Sequence, residues 1–216
     1  MKRLIILDYF LIENSGHFER YDFSIAKEAL QQGIQTEIWC PVRPEGEQPE
    51  YVKQCLRPAL CRSRKLNGKV KAAFQRILQL RDIFARKLMD QGTLVLIQQV
   101  DSYYLPCLVA ATVGIYIKPS IVIVVRRFSQ TDAGVPRSWK QKLISFVNTI
   151  CMKYLHRNKR VYFLSDSELV VERLRSEGFQ NVQLLPVPHL PERCYKRPGC
   201  SIKRVAYLGV ARLEKG

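Results

Sequence analysis

Apolar residues along this chain form short continuous runs, separated by longer segments in which apolar positions recur every three or four residues. The continuous runs are typical of strands covered on both faces and predict strands at residues 3–7, 93–98, 120–125, 161–164 and 182–185, with an alternating strand at 34–40. The periodic segments predict helices at residues 17–32, 68–89, 103–113, 138–156 and 168–176. This alternation predicts an α/β fold with a doubly wound parallel sheet.

Local signals at the helix ends refine these bounds. Gly33 follows the first helical segment and is expected to end it as a C-terminal cap. Ser165 and Glu168 have the S-x-x-E spacing of a capping box, and Asp101 with the serine after it is expected to cap the helix at 103–113.

The last part of the chain has a different composition. The stretch "LPVPHLPERCYKRPGC" concentrates proline and reads as a linker, and the strand pattern resumes at Lys203 and closes at Gly209. We therefore predict a Rossmann-like N-terminal domain at residues 1–190, a linker at 191–202, and the start of a truncated second domain at 203–216.

Composition and charge narrow the function classes. The 216 residues are 47% hydrophobic and 25% charged, which argues against wholesale disorder. The net charge of +16 favours polyanionic partners: nucleic acid, anionic lipid or phosphorylated substrates. Seven scattered cysteines without a C-x-x-C pair argue against a disulfide framework and a zinc site, and suit a reducing cytosol. No apolar run approaches the roughly 18 residues of a membrane span.

Ligands of parallel α/β sheets bind at the carboxyl ends of the strands, so the loops there carry the candidate site residues. Gly16 precedes the first helix, whose free N–H groups favour an anion, although a tight turn explains this glycine equally well. His17 is either a ligand contact or a first-turn residue. Arg126 and Arg127 follow the strand at 120–125 and can hold a phosphate or carboxylate in a bidentate grip, or lie on a solvated loop.

Three stretches resemble retaining glycosyltransferases of the GT-B type, the group 1 (family 4-like) enzymes that transfer hexoses from nucleotide sugars. "SGHFERYDFSIAKEALQQGIQTEIWCP" is similar to the first β-α-β unit of that family, and "VYFLSDSELVVERLRSEGFQNVQLLPVP" to the last unit of its N-terminal domain. "VAYLGVARLEKG" is similar to the opening of its second domain. The three stretches occur in the family's order over the full length of the chain.

The resemblance implies residue roles. Gly16, Arg212 and Lys215 would contact the donor diphosphate, because cations stabilise the charge that develops on the leaving group. His17, Arg126 and Arg127 would contact the acceptor or another anion. The family often has a histidine and an acid where Arg126 and Arg127 stand, and a guanidinium cannot act as a base, so the catalytic residue is unknown. Neither a metal nor a cofactor is expected, since the nucleotide sugar is a substrate.

Two helical segments and their flanks are strongly basic. Residues 53–87 hold eleven Lys or Arg and one acid, and the second segment contains Trp139 and Phe146 together with Arg137, Lys140, Lys142 and Lys153. Either the apolar stripes of both helices pack on the sheet and leave a solvated basic rim, or this face docks on an anionic membrane surface.

We therefore expect a hexosyltransferase acting on a lipid-linked or saccharide acceptor, cytoplasmic or peripheral at the inner face of the membrane. In GT-B enzymes the donor is held chiefly by the second domain, so we expect the 216-residue chain to be inactive alone. A non-catalytic GT-B-like scaffold subunit is the alternative. A basic nucleic-acid-binding module is less favoured, because no helix-turn-helix, zinc-finger or RNP pattern is present.

Overall fold

The seven described strands form one all-parallel sheet. The structure is a computed structural model that describes residues 1–9, 11, 17–41, 49–57, 66–86, 89–98, 100, 103–125 and 138–185. The strands are β1 (Arg3–Leu7), β2 (Gln35–Cys40), β3 (Val52–Gln54), β4 (Thr93–Ile97), β5 (Ser120–Val124), β6 (Val161–Ser165) and β7 (Val182–Leu184). Their order across the sheet is β3-β2-β1-β4-β5-β6-β7.

Helices cover both faces of the sheet, so the predicted doubly wound, Rossmann-like α/β fold is confirmed. They are α1 (His17–Gln31), α2 (Leu66–Ala85), α3 (Tyr104–Thr112), α4 (Trp139–His156) and α5 (Glu168–Ser176). Helix α1 packs on one face, where Ala26 and Ala29 contact Leu4 and Ile6 of β1. Helices α2 to α5 pack on the other face in a second, larger core cluster.

The register of the central strands determines which loops meet. Leu7 of β1 pairs with Trp39 of β2 on one side and with Ile97 of β4 on the other. The carboxyl ends of β1 and β4 are therefore level, and the residues that follow them, Asp8 and Gln98, occupy neighbouring positions at this edge of the sheet.

The structure differs from the sequence pattern at one short strand and on the apolar face of α2. The segment 52–54, for which the apolar pattern predicts no strand, forms the short edge strand β3 beside β2. The apolar residues of α2 at three- and four-residue spacing divide between core and surface: Ile77 and Phe84 contact the core, whereas Val70 and Phe74 are exposed. A buried arginine, Arg76, occupies the core-facing side instead.

The capping predictions had mixed outcomes. Gly33 has a positive φ of 74° two residues after Gln31, the last residue of α1, as expected for a glycine at the C-terminal cap. The capping box at Ser165 and Glu168 is wrong, because Ser165 is the last residue of β6 and α5 begins only at Glu168, after the N-cap Ser167. The N-cap of α3 is Tyr103, not Asp101, which lies outside the described residues.

Candidate functional site

The crevice between β1 and β4 is the candidate ligand site that the sheet topology defines. The chain leaves β1 through α1 toward β2 and leaves β4 through α3 toward β5, in opposite directions across the sheet. The loops therefore part at the carboxyl ends of these two strands, which is where open α/β sheets bind their ligands.

Asp8 fixes the start of the loop after β1. It is fully buried, its backbone N–H donates to the carbonyl of Trp39 at 3.1 Å, and its Oδ1 accepts a hydrogen bond from the backbone N–H of Leu11 at 3.1 Å. This carboxylate thus satisfies a buried backbone donor and turns the chain at the rim of the crevice.

A buried arginine lies between two tyrosines on the α2–α3 side of the same strand ends. The Cζ atom of Arg76 lies 4.8 Å from the ring centroid of Tyr9 and 5.3 Å from that of Tyr104. The two rings meet edge to face with their centroids 5.5 Å apart. Because Arg76 is only 3% exposed, these cation–π contacts are largely desolvated and correspondingly strong.

Tyr9 can serve as a hydrogen-bond donor but not as a base. Burial raises the pKa of its phenol well above the usual value, and the positive charge of Arg76 offsets only part of that rise. The phenol is therefore protonated throughout the physiological range. Among the described residues, its buried hydroxyl has no hydrogen-bond partner.

Helix α4 exposes a continuous apolar face to solvent. Its core-facing side carries Cys151, Met152 and Leu155, which belong to the larger core cluster. Its opposite side carries six exposed large apolar residues, which we call the α4 stripe: Trp139, Leu143, Phe146, Val147, Ile150 and Tyr154. The alternative in which the apolar residues of this helix only pack on the sheet is therefore wrong for these six.

The α4 stripe is bordered by positive charge. Lys140, Lys142 and Lys153 are exposed on the same helix, and its sequence contains no acidic residue. Trp139 and Phe146 are 69% and 62% exposed, so both rings are accessible to a partner. No helix within the described ranges has both the length and the apolar content that crossing a bilayer requires.

The residues predicted from the sequence to form the site fall mostly outside the described part of the chain. Gly16, Arg126, Arg127, Arg212 and Lys215 all lie outside it, as do the predicted linker and second domain. His17 is the first residue of α1, as expected, but only its backbone is described. The gathering of Gly16, His17, Arg126 and Arg127 at one edge of the sheet stays a prediction, although β1 and β5 do end at that edge.

No three His, Cys, Asp or Glu side chains within the described ranges lie close enough together to hold a metal ion. The four described cysteines, Cys40, Cys55, Cys107 and Cys151, are free thiols.

No protein-family model matches this chain, and no curated protein is significantly similar to it. The resemblance to GT-B glycosyltransferases therefore rests on the quoted motifs.

Sequence reasoning missed the Tyr9–Arg76–Tyr104 group, although two signals could have found it. Tyr9 and Tyr104 follow β1 and β4 closely, and these two strands flank the crevice. Arg76 is four residues before Leu80 and therefore lies on the core-facing side of α2. A cation at such a position indicates a specific buried contact.

Proposed function

We propose that this chain is part of a GT-B-type retaining glycosyltransferase that works at an anionic membrane surface. It would carry the acceptor side of an enzyme that transfers a hexose from a nucleotide sugar to a lipid-linked acceptor at the cytoplasmic face. Two findings support the transferase class: the motifs that resemble the family, and a doubly wound sheet whose β1–β4 crevice suits a ligand.

The observation that carries the proposal is the α4 stripe. Six apolar side chains exposed on one helix, bordered by lysines and free of acids, have the composition of helices that lie in a membrane interface. Anionic headgroups attract each nearby Lys or Arg by about 1 kcal/mol, while the rings of Trp139 and Phe146 gain from leaving water. An enzyme whose acceptor is dissolved in water would not need such a surface.

The α4 stripe fits a lipid surface, and the two alternatives, a nucleic-acid-binding module and a scaffold subunit, lead to different expectations for it. A nucleic-acid module would present cations and aromatic rings to bases and phosphates, but aliphatic Leu143, Val147 and Ile150 offer neither charge nor stacking. A scaffold subunit could bind a protein through the stripe, and it would then bind neutral and anionic vesicles equally poorly.

Vesicle flotation tests the membrane part of the proposal. We expect the 216-residue chain to float with anionic vesicles, to float poorly with neutral ones, and to release in high salt, which shortens the Debye length. The double variant Trp139→Ser and Phe146→Ser should bind about a hundredfold more weakly, because each ring contributes about 1.5 kcal/mol of apolar burial.

A matched control removes apolar surface from the opposite face of the molecule. Leu30 on α1 and Tyr162 on β6 are also exposed, and their replacement by serine should leave binding unchanged. Equal binding of neutral and anionic vesicles, or equal loss in both double variants, would contradict the proposal.

A further inference from the structure

A basic cleft opens at the amino edge of the sheet, opposite to the β1–β4 crevice. It has a volume of about 530 Å³ and is formed where the chain enters β5 and β6, after the ends of α3 and α4. Its polar lining includes Tyr116, Tyr154, Arg157, Lys159 and Arg160. Tyr116 is 70% exposed, so its ring edges an opening that solutes can reach.

The positive charges that line the cleft are not balanced by acidic residues. Three of its lining residues are cations and none is an acid, and in the part of the chain that the structure describes none of the three makes an ion pair. The carboxyl ends of α3 and α4 supply about half a negative charge each, which offsets about one of the three positive charges. The surplus of about two charges matches a phosphate.

The residues that line the cleft include several donors of the types that bind oxyanions. Arg157 and Arg160 each present a planar guanidinium that can hold two oxygens at once. Asn158 also lines the cleft, and its Oδ1 accepts a hydrogen bond from the backbone N–H of Arg160 at 3.0 Å, so its Nδ2 group takes no part in that bond. Tyr116 and Tyr154 add two hydroxyl donors.

The cleft is continuous with the α4 stripe. Tyr154 is the last residue of the stripe and also lines the cleft, and the three cations follow α4 directly in sequence. If α4 lies along a bilayer with its stripe inserted, the cleft stands beside the end of that helix, where headgroup phosphates are found.

We propose that this cleft binds the phosphate of an anionic lipid headgroup, with a phosphomonoester preferred because its second charge matches the surplus. This inference rests on the proposed membrane function and adds a headgroup specificity to it. The α4 stripe would supply apolar insertion, and the cleft would choose the lipid.

The test compares vesicles of equal surface charge that contain either phosphatidic acid, a phosphomonoester, or phosphatidylserine, a diester. The full chain should bind the phosphatidic acid vesicles about tenfold more tightly, since one further charge-assisted hydrogen bond has about that effect. Arg160→Lys, which keeps the charge but loses the fork, should reduce this preference without abolishing it, while binding to both vesicles persists. Arg157→Gln with Lys159→Gln and Arg160→Gln should lose the preference and also weaken binding overall.

A charge-matched variant separates the cleft from general electrostatics. Lys27→Gln, Lys53→Gln and Arg57→Gln remove three exposed charges elsewhere and should keep the preference. Equal binding of the two vesicle types by the unaltered chain, or a preference that survives in the triple cleft variant, overturns the inference.

A measurement without vesicles distinguishes failure of the cleft inference from failure of the proposed membrane function. Short-chain phosphatidic acid, below its micelle concentration, should bind the unaltered chain but not the triple cleft variant in calorimetry, whether or not vesicles are bound. Absence of that binding overturns the cleft inference alone. Loss of vesicle binding through the α4 stripe is measured independently by the Trp139 and Phe146 variant.

Discussion

Arg76 is a cation at a helix position that packs against the core, and its two tyrosine neighbours come from the loop after β1 (Tyr9) and from the first residue of α3 (Tyr104). Its guanidinium therefore connects α2 to the residues that follow β1 and β4. A buried charge is costly unless such contacts hold it, so removing it should affect the whole fold.

We expect Arg76→Met to lower the free energy of unfolding by about 2–4 kcal/mol, because two desolvated cation–π contacts of about 1–2 kcal/mol each are lost. Arg81→Met on the same helix is the control, since Arg81 is exposed and surface substitutions usually change stability by less than about 0.5 kcal/mol. Urea denaturation measures both. Equal losses in the two variants would show that the contacts around Arg76 are not stabilising.

Residue types alone predicted less of the site than the topology did. Glycine, histidine, arginine and lysine residues after strand ends suggested an anion site, but five of the six candidate residues lie outside the described part of the chain. Tyr9 and Arg76 could not be identified as site candidates from the sequence, because a buried tyrosine and a helical arginine are common in any protein. Only the packing of α2 against the residues that follow β1 makes them neighbours.

At the scale of elements, helix α4 has apolar residues on two sides, and a capping box defines where it begins. Ser138 is its N-cap: the backbone N–H of Gln141 donates to Ser138 Oγ at 3.3 Å, and the backbone N–H of Ser138 donates to Gln141 Oε1 at 2.9 Å. This capping box fixes the first turn, next to Trp139 at the beginning of the stripe.

Ser138→Ala should lower the free energy of unfolding by about 1 kcal/mol, the usual cost of an N-cap side chain. Ser167→Ala should cost clearly less, because Ser167 occupies the N-cap of α5 without a side-chain cap bond. Thermal or urea unfolding of the two variants measures the difference. A larger loss at Ser167 would contradict this assignment of caps.

The apolar pattern predicted best the strands that are buried on both faces and a helix whose apolar residues lie on one face. β1, β4, β5 and α5 match the predicted bounds within one residue, because their apolar runs are continuous or evenly spaced. β3 was missed, since it has three residues and only Val52 is buried. The orientation of α4 could not be predicted because apolar residues occur on both of its sides.

At the scale of the whole molecule, the sheet separates two kinds of surface. The carboxyl edge holds the crevice with Tyr9, whereas the α4 stripe and the basic cleft lie on the α4 side and reach the amino edge. The net charge of +16 predicted an anionic partner but not where it binds, because charge counts carry no geometry. The placement of exposed apolar residues supplies the geometry that favours a membrane.

Transfer of labelled hexose into lipid tests the central claim most directly. A panel of nucleotide sugars would be offered to the chain on anionic vesicles that contain polyprenyl phosphate lipids, with a donor-binding domain of the resembling family supplied in trans. We predict label in the lipid-extractable fraction with both parts present and none with this chain alone. The transfer should fall strongly in the Trp139→Ser and Phe146→Ser variant and persist in the Leu30→Ser and Tyr162→Ser control. No label from any nucleotide sugar, or equal transfer by both variants, would contradict a membrane-docked glycosyltransferase.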